Sequence, residues 1–122
     1  MYTKIREYLN CNKSMSFSEM LFSFIDESGR KDSEIYKKVD IDRKLFSKIR
    51  CNHNYIPRRN VIIKLCLALE LERTEFNQLL NSAGYSLTSS KFDQVISYCL
   101  DNKIYALDKV NEYLYTFCSA SL

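Results

Sequence analysis

The chain has 122 residues, of which 46% are hydrophobic, with two glycines, one proline and a formal net charge of +3. This length suffices for one domain with a closed hydrophobic core. The scarcity of turn-forming residues argues against an all-β sandwich or barrel and predicts an all-α fold.

The five cysteines are odd in number and never form a Cys-x-x-Cys pair, so they indicate neither a disulfide framework nor a zinc site. The N-terminus "MYTKIREYLN" lacks the apolar core of a signal peptide, and no apolar run approaches the roughly 18 residues of a membrane span. We therefore expect a cytoplasmic protein without a metal, a cofactor or membrane contact.

Helix signals follow one another along the chain. Ser16 and Glu19 have the spacing of a capping box before an apolar helix, and Gly29 is typical of its left-handed end. A short helix, "SEIYKKV", follows Asp32. Asp42 is placed to cap a third helix, "RKLFSKIR", whose apolar side chains predict an inward face.

Pro57 prevents a helix from continuing through the loop that follows. The next segment, "VIIKLCLALELE", is apolar on nearly every side and predicts a buried central helix. A further helix is predicted to begin at Thr74 and to end at Gly84. Two apolar stripes then predict C-terminal helices; their members are Phe92, Val95, Ile96, Cys99 and Leu100 in the first and Leu107, Val110, Leu114 and Phe117 in the second.

Positive charge is concentrated in residues 41–59, "IDRKLFSKIRCNHNYIPRR". From residue 43 onward this stretch has six basic side chains and no acidic one. Residues 74–122, in contrast, hold three basic and five acidic side chains. Such segregation favours a polyanionic partner, while the alternative is a charged face that contacts only solvent.

Residues 17–84 resemble the lambda-repressor-like helix-turn-helix family, also called the Cro/C1 or XRE family. The matching elements are "FSEMLFSFIDESG", "DSEIYKKV", the recognition helix "DRKLFSKIRCN", the loop "YIP" and "IIKLCLALELERTEFNQLL". The resemblance implies a five-helix DNA-binding domain over residues 15–85. Residues 1–14 are then an N-terminal segment with a short helix, and residues 86–122 are a pair of helices packed on the domain. Residues 31–50 and 79–98 are also similar to small helical modules found at the ends of some bacterial multidomain proteins, macro-domain proteins among them. The role of those modules is poorly defined, so this similarity implies a fold more than a function.

The resemblance implies a transcription regulator that reads the major groove of double-stranded DNA with its third helix. If Phe46 and Ile49 face the core, the family's base-reading positions lie on the opposite side of this helix. These positions are Arg43, Lys44, Ser47 and Lys48. The candidates for phosphate binding, which fixes register without reading sequence, are Arg50, Asn52, His53, Asn54, Tyr55, Arg58 and Arg59.

Five positions depart from the family pattern. One of them is Tyr36, which stands inside the second helix where the family usually has a small alanine. Asp40 stands where a glycine often makes the turn, although aspartate tolerates left-handed geometry. Asp32 stands where a neutral donor commonly meets a phosphate, and Leu45 occupies a usually polar position. Arg50 replaces a commonly acidic residue, so we expect its guanidinium group to be free.

One alternative stays open beside the DNA-binding hypothesis. It is a protein-interaction module, such as a small inhibitor or adaptor of a phage or mobile element, that binds a nucleic-acid-handling protein. Its candidate contacts are Leu45, Tyr55, Tyr113 and Tyr115. The DNA-binding hypothesis itself includes a homodimer, formed through the C-terminal helices or through residues 1–14 with Tyr2, Ile5 and Leu9.

An enzyme is not expected, because the chain has neither a glycine-rich phosphate loop nor a histidine-centred constellation. Cys51 and His53 are near each other, but two potential ligands do not make a metal site. Cys66 and Cys99 lie on apolar stripes and are expected to be small core residues.

Overall fold

The structure is a computed structural model that describes residues 2–11 and 15–122. These residues form helices and no strand, which confirms the predicted all-α class. The helices are α1 (Thr3–Cys11), α2 (Phe17–Ser28), α3 (Asp32–Lys38), α4 (Arg43–Cys51), α5 (Arg59–Ala68), α6 (Arg73–Ser82), α7 (Lys91–Asp101) and α8 (Leu107–Cys118). Within the described residues, no helix has the length and apolar character needed to cross a membrane.

The helix ends of the first half follow the predicted signals. Ser16 Oγ accepts a hydrogen bond from the Glu19 N–H at 3.2 Å and so caps α2. Asp42 Oδ1 accepts one from the Lys44 N–H at 3.3 Å and so caps α4. Gly29 ends α2 in the left-handed conformation, with φ at 69°.

The same turn joins α3 to α4 and α5 to α6. In each turn an acidic residue adopts a left-handed conformation, Asp40 and Glu70 with φ at 54°. The next residue, Ile41 or Leu71, is buried. Its amide donates to the carbonyl five residues earlier, at 2.9 Å in the first turn and 3.2 Å in the second. Asp40 therefore adopts the geometry that a glycine often supplies at this turn.

The second of these turns places the start of α6 earlier than predicted. The helix begins at Arg73, and Glu72 is its N-cap in a capping box completed by Glu75. The expectation that Thr74 begins this helix is therefore wrong. A glutamate in the left-handed region is unusual, and for that reason the sequence did not indicate a tight turn here.

A hydrophobic core runs through α2 to α8, with α5 at its centre. The predicted central helix is buried, but it ends at Ala68 and does not continue to Glu72 as expected. Its fully buried residues are Ile62, Ile63, Leu65, Cys66, Leu67 and Ala68. α2 packs against α6, α3 against α5 and α4, and α7 against α6 and α8. Phe46 and Ile49 of α4 are buried, as predicted, so the opposite side of α4 faces outward.

The predicted apolar stripes of α7 and α8 bury most of their members. Ile96, Cys99 and Leu100 of α7 are buried, and so are Leu107, Val110 and Leu114 of α8. The last predicted member, Phe117, is 59% exposed, so the expectation that it continues the core stripe is wrong. Tyr113 packs partly against the core, whereas Tyr115 is 74% exposed.

Candidate nucleic-acid interface

The outward side of α4 presents the four side chains that the sequence assigned to base reading. Arg43, Lys44, Ser47 and Lys48 are all exposed, and we call them the α4 face. Their exposure follows from the helical period, because Phe46 and Ile49 fix the opposite side of the helix in the core. Arg43 and Lys44 lie in the first turn of α4 and Lys48 lies one turn later.

The guanidinium group of Arg50 is not free, so that expectation is wrong. It forms an ion pair with Asp32 at 2.7 Å and lies over the ring of Phe22, 4.1 Å from its centroid. The pair also balances the charge of Asp32, which does not cap α3. Both partners are more than a third exposed, so the pair contributes little to stability and is open to exchange with another anion.

Arg59 has a partner in the C-terminal helices. Its guanidinium group donates to Asp93 Oδ2 and to the Ser86 carbonyl, and thereby joins the start of α5 to the start of α7. The side chain of Asp93 is only 2% exposed and also accepts hydrogen bonds from the N–H and the hydroxyl of Thr88, at 2.6 and 2.8 Å. The guanidinium group of Arg59 is therefore already engaged within the chain.

Burial alone would raise the pKa of Asp93, because it penalises the charged carboxylate. The hydrogen bonds from Arg59 and Thr88 outweigh this penalty and hold the pKa below the usual range of an aspartate. The buried carboxylate thus stays charged, and its ion pair with Arg59 connects α7 to α5.

Leu45 and Tyr55 flank the α4 face and are partly buried against the core. The ammonium group of Lys48 lies 4.4 Å from the centroid of the Tyr55 ring. A cation–π contact at such a site is worth about 0.5–1 kcal/mol and restricts the lysine to one side of the helix. Tyr55 therefore orients Lys48 and leaves the ammonium group exposed.

The loop after α4 begins with Asn52, whose side-chain oxygen accepts the Asn54 N–H at 3.1 Å. His53, Asn54 and Arg58 are exposed in this loop. Arg58 directly precedes α5 at the N-cap position and makes no side-chain cap bond.

The six cations of residues 43–59 divide into two groups by their partners. Arg50 and Arg59 are paired with carboxylates, as described above. The other four have no ion pair with any carboxylate among residues 2–11 and 15–122; they are Arg43, Lys44, Lys48 and Arg58. An exposed cation without an internal partner can contact an external anion without first breaking an ion pair.

Cys51 and His53, weighed in the sequence as metal ligands, are both exposed. Over the described part of the chain, no group of three or more histidine, cysteine, aspartate or glutamate side chains is arranged to hold a metal ion.

The residue that sequence reasoning missed is Asp93. The Ser90-x-x-Asp93 spacing indicates the start of a helix, and the Ser90 hydroxyl does accept the Asp93 N–H. Nothing in that local pattern points to Arg59, which lies 34 residues earlier.

Comparison with protein-family models, curated proteins and solved structures found no match to this chain.

Proposed function

We propose that the protein is a DNA-binding regulator of the Cro/C1 type, which places α4 in the major groove of double-stranded DNA. The observation that carries this proposal is the set of four cations on α4 and its loop that lack a carboxylate partner within the described structure. They are Arg43, Lys44, Lys48 and Arg58.

The turn between α3 and α4 supports the proposal in two ways. Asp40 has the left-handed backbone that such a turn requires, and Ile41 anchors the turn in the core. The turn and the buried side chains of α4 therefore hold the α4 face rigidly outward. A rigid element is what base recognition requires, because each contact depends on the position of a donor to within a fraction of an ångström.

Arg43, Lys44 and Lys48 are the base-reading residues in this proposal. Arginine and lysine donate to guanine O6 and N7 in the major groove, so the preferred half-site contains guanine. Each good contact of this kind discriminates against a wrong base by about 1–3 kcal/mol. Ser47 lies between them on α4 and can donate to or accept from a base edge.

Arg58 and the exposed loop residues Asn52, His53 and Asn54 have the phosphate-binding role. Such contacts fix the register of a protein on the duplex but carry no sequence information. Arg50 joins them only by exchanging Asp32 for a phosphate, because the two are paired in the free protein.

The first experiment is a binding titration of the purified protein against a pool of random duplex DNA at two salt concentrations, followed by sequencing of the retained fraction. We expect an enriched motif with guanine in each half-site and weaker retention at the higher salt concentration. Retention without enrichment would contradict the base-reading role of α4.

A second candidate function is a protein-interaction module that keeps the same fold. The observation that favours it is the exposure of three aromatic side chains on α7 and α8: Tyr98 at 55%, Tyr115 at 74% and Phe117 at 59%. Leu45 and Tyr55, in contrast, are partly buried and offer less contact area than the sequence suggested. Loss of a partner on Tyr115→Ala, with DNA binding unchanged, would identify this function.

A further inference from the structure

Helix α1 has an apolar stripe that its own chain leaves exposed. Tyr2, Ile5 and Leu9 recur at the spacing of one helical face and are 65%, 56% and 60% exposed. α1 has nine residues. Helices shorter than about 12–15 residues are only marginally stable in water unless they pack against another surface. A surface that covers this stripe would therefore stabilise α1 as a helix.

The C-terminal helices form a groove of matching character. It has a volume of about 390 Å³ and lies between α7 and α8. Its lining is mainly apolar and aromatic: Lys91, Gln94, Val95, Tyr98, Tyr113 and Phe117. The rings of Tyr98 and Tyr113 meet edge to face, with centroids 6.1 Å apart. Such a groove is suited to an amphipathic helix that inserts a few apolar side chains.

We propose that α1 of one copy of the chain occupies the α7–α8 groove of a second copy, and that the second copy returns the same contact. We call α1 the arm. The reciprocal exchange makes a homodimer with two equivalent contacts, each between the arm of one copy and the groove of the other. Tyr2, Ile5 and Leu9 are the arm residues, and Tyr98 and Phe117 are the groove residues that they contact.

Charge complementarity supports this occupant. α1 contains two basic side chains and one acidic one, whereas α7 and α8 together contain two basic and four acidic ones. We favour α1 of a second copy, and not α1 of the same chain, as the occupant of the groove. In the single chain α1 is helical, yet its described side chains from Tyr2 to Leu9 are all exposed. The arm therefore does not fill the groove of its own chain. A closed two-fold exchange covers the exposed stripe of Tyr2, Ile5 and Leu9 and fills the groove, without leaving either open to further association.

The inference does not depend on DNA binding, although it deepens the proposed function. A two-fold dimer would present two copies of α4, as recognition of a palindromic site requires. A dimer that binds no DNA would leave the inference standing and refute the proposed function. A monomer that selects a DNA motif would do the reverse.

The test is the molar mass in solution, measured by light scattering and by sedimentation over a range of concentrations. We expect a species of twice the 14.4 kDa of one chain. Ile5→Glu in the arm and Tyr98→Glu in the groove should each weaken the dimer by about tenfold or more, because few side chains carry most of an interface. Both side chains are exposed, so neither change is expected to disturb folding.

Two matched controls introduce the same charge outside the proposed contacts. Tyr115→Glu changes an exposed aromatic residue of α8 that does not line the groove. Thr3→Glu changes the other face of α1. Both variants should keep the dimer. If Tyr115→Glu weakened the dimer as much as Tyr98→Glu does, the groove would not be the site of the contact.

Mixing the two variants with weakened dimers tests the exchange directly, at a concentration where each variant alone is mostly monomeric. The Tyr98→Glu chain keeps an intact arm and the Ile5→Glu chain keeps an intact groove, so their mixture should recover one contact and form a heterodimer. If the mixture did not recover a dimer, the proposal would be overturned. A wild-type protein that stays monomeric at every concentration would overturn it too. A dimer insensitive to Ile5→Glu would overturn it as well.

Discussion

Replacing Asp93 by asparagine tests whether the carboxylate joins the C-terminal helices to the rest of the fold. Asp93 is 2% exposed on its side chain and accepts hydrogen bonds from Arg59 and Thr88. Removing one partner of a buried ion pair costs about 3–5 kcal/mol, because the other charge is left without a partner. Arg59 is 25% exposed and recovers part of this through water. We therefore expect Asp93→Asn to lower the free energy of unfolding by about 2 kcal/mol.

Urea unfolding at pH 7 measures this change, with Asp101→Asn as the matched control. Asp101 pairs with Arg73 at 3.3 Å, but both side chains are 50% exposed. The control should therefore change the free energy of unfolding by less than about 0.5 kcal/mol. If the two variants were equally stable, the Arg59–Asp93 pair would not have the structural role assigned to it.

The same variant has a defined pH dependence. Because the pKa of Asp93 is lowered in the folded protein, its contribution to stability is present above the unfolded value of about 3.9. It is lost as the pH falls through the folded pKa. The difference in free energy of unfolding between wild type and Asp93→Asn should therefore be constant from pH 7 to 5 and shrink below about pH 4. A difference that grows on acidification would refute the reasoning.

Four further changes separate binding from folding. Lys44→Ala should relax base preference in the selected motif. Arg58→Ala should instead weaken binding to all duplexes and make the dependence of log K on log salt shallower by about one. Fluorescence anisotropy measures both effects. Asp32→Asn frees Arg50 from its ion pair and removes a negative charge beside the proposed DNA-binding surface, so binding should tighten roughly threefold at low salt. Weaker binding would count against contact at this end of α3. Gly29→Ala should destabilise by about 1 kcal/mol in urea unfolding, because φ is 69° while nothing lies within 4 Å of the added methyl group.

The fold was predictable where local chemistry decides the outcome. Ser16, Gly29 and Asp42 mark helix ends through bonds to their own neighbours, and the spacing of Phe46 and Ile49 fixes the inward side of α4. These features depend only on residues a few positions apart, so a single sequence contains the information.

The candidate site was predictable only in part, because the fate of a cation depends on distant residues. Arg58 and Arg59 are adjacent in the sequence, yet one is exposed without a carboxylate partner in the described structure and the other is held by Asp93. Arg50 likewise forms an ion pair with Asp32, which lies 18 residues earlier in the sequence. Net charge in a window counts all these cations equally, whereas packing decides which remain available.

The salt dependence of DNA binding tests the central claim most directly. With a duplex from the selected pool, we predict a steep fall of log K with log salt. The slope should be shallower by about one for Arg58→Gln and unchanged for Lys109→Gln on α8. Equal effects of the two substitutions, or binding that is indifferent to salt, would contradict the assignment of the α4 face and its loop as the DNA-binding surface.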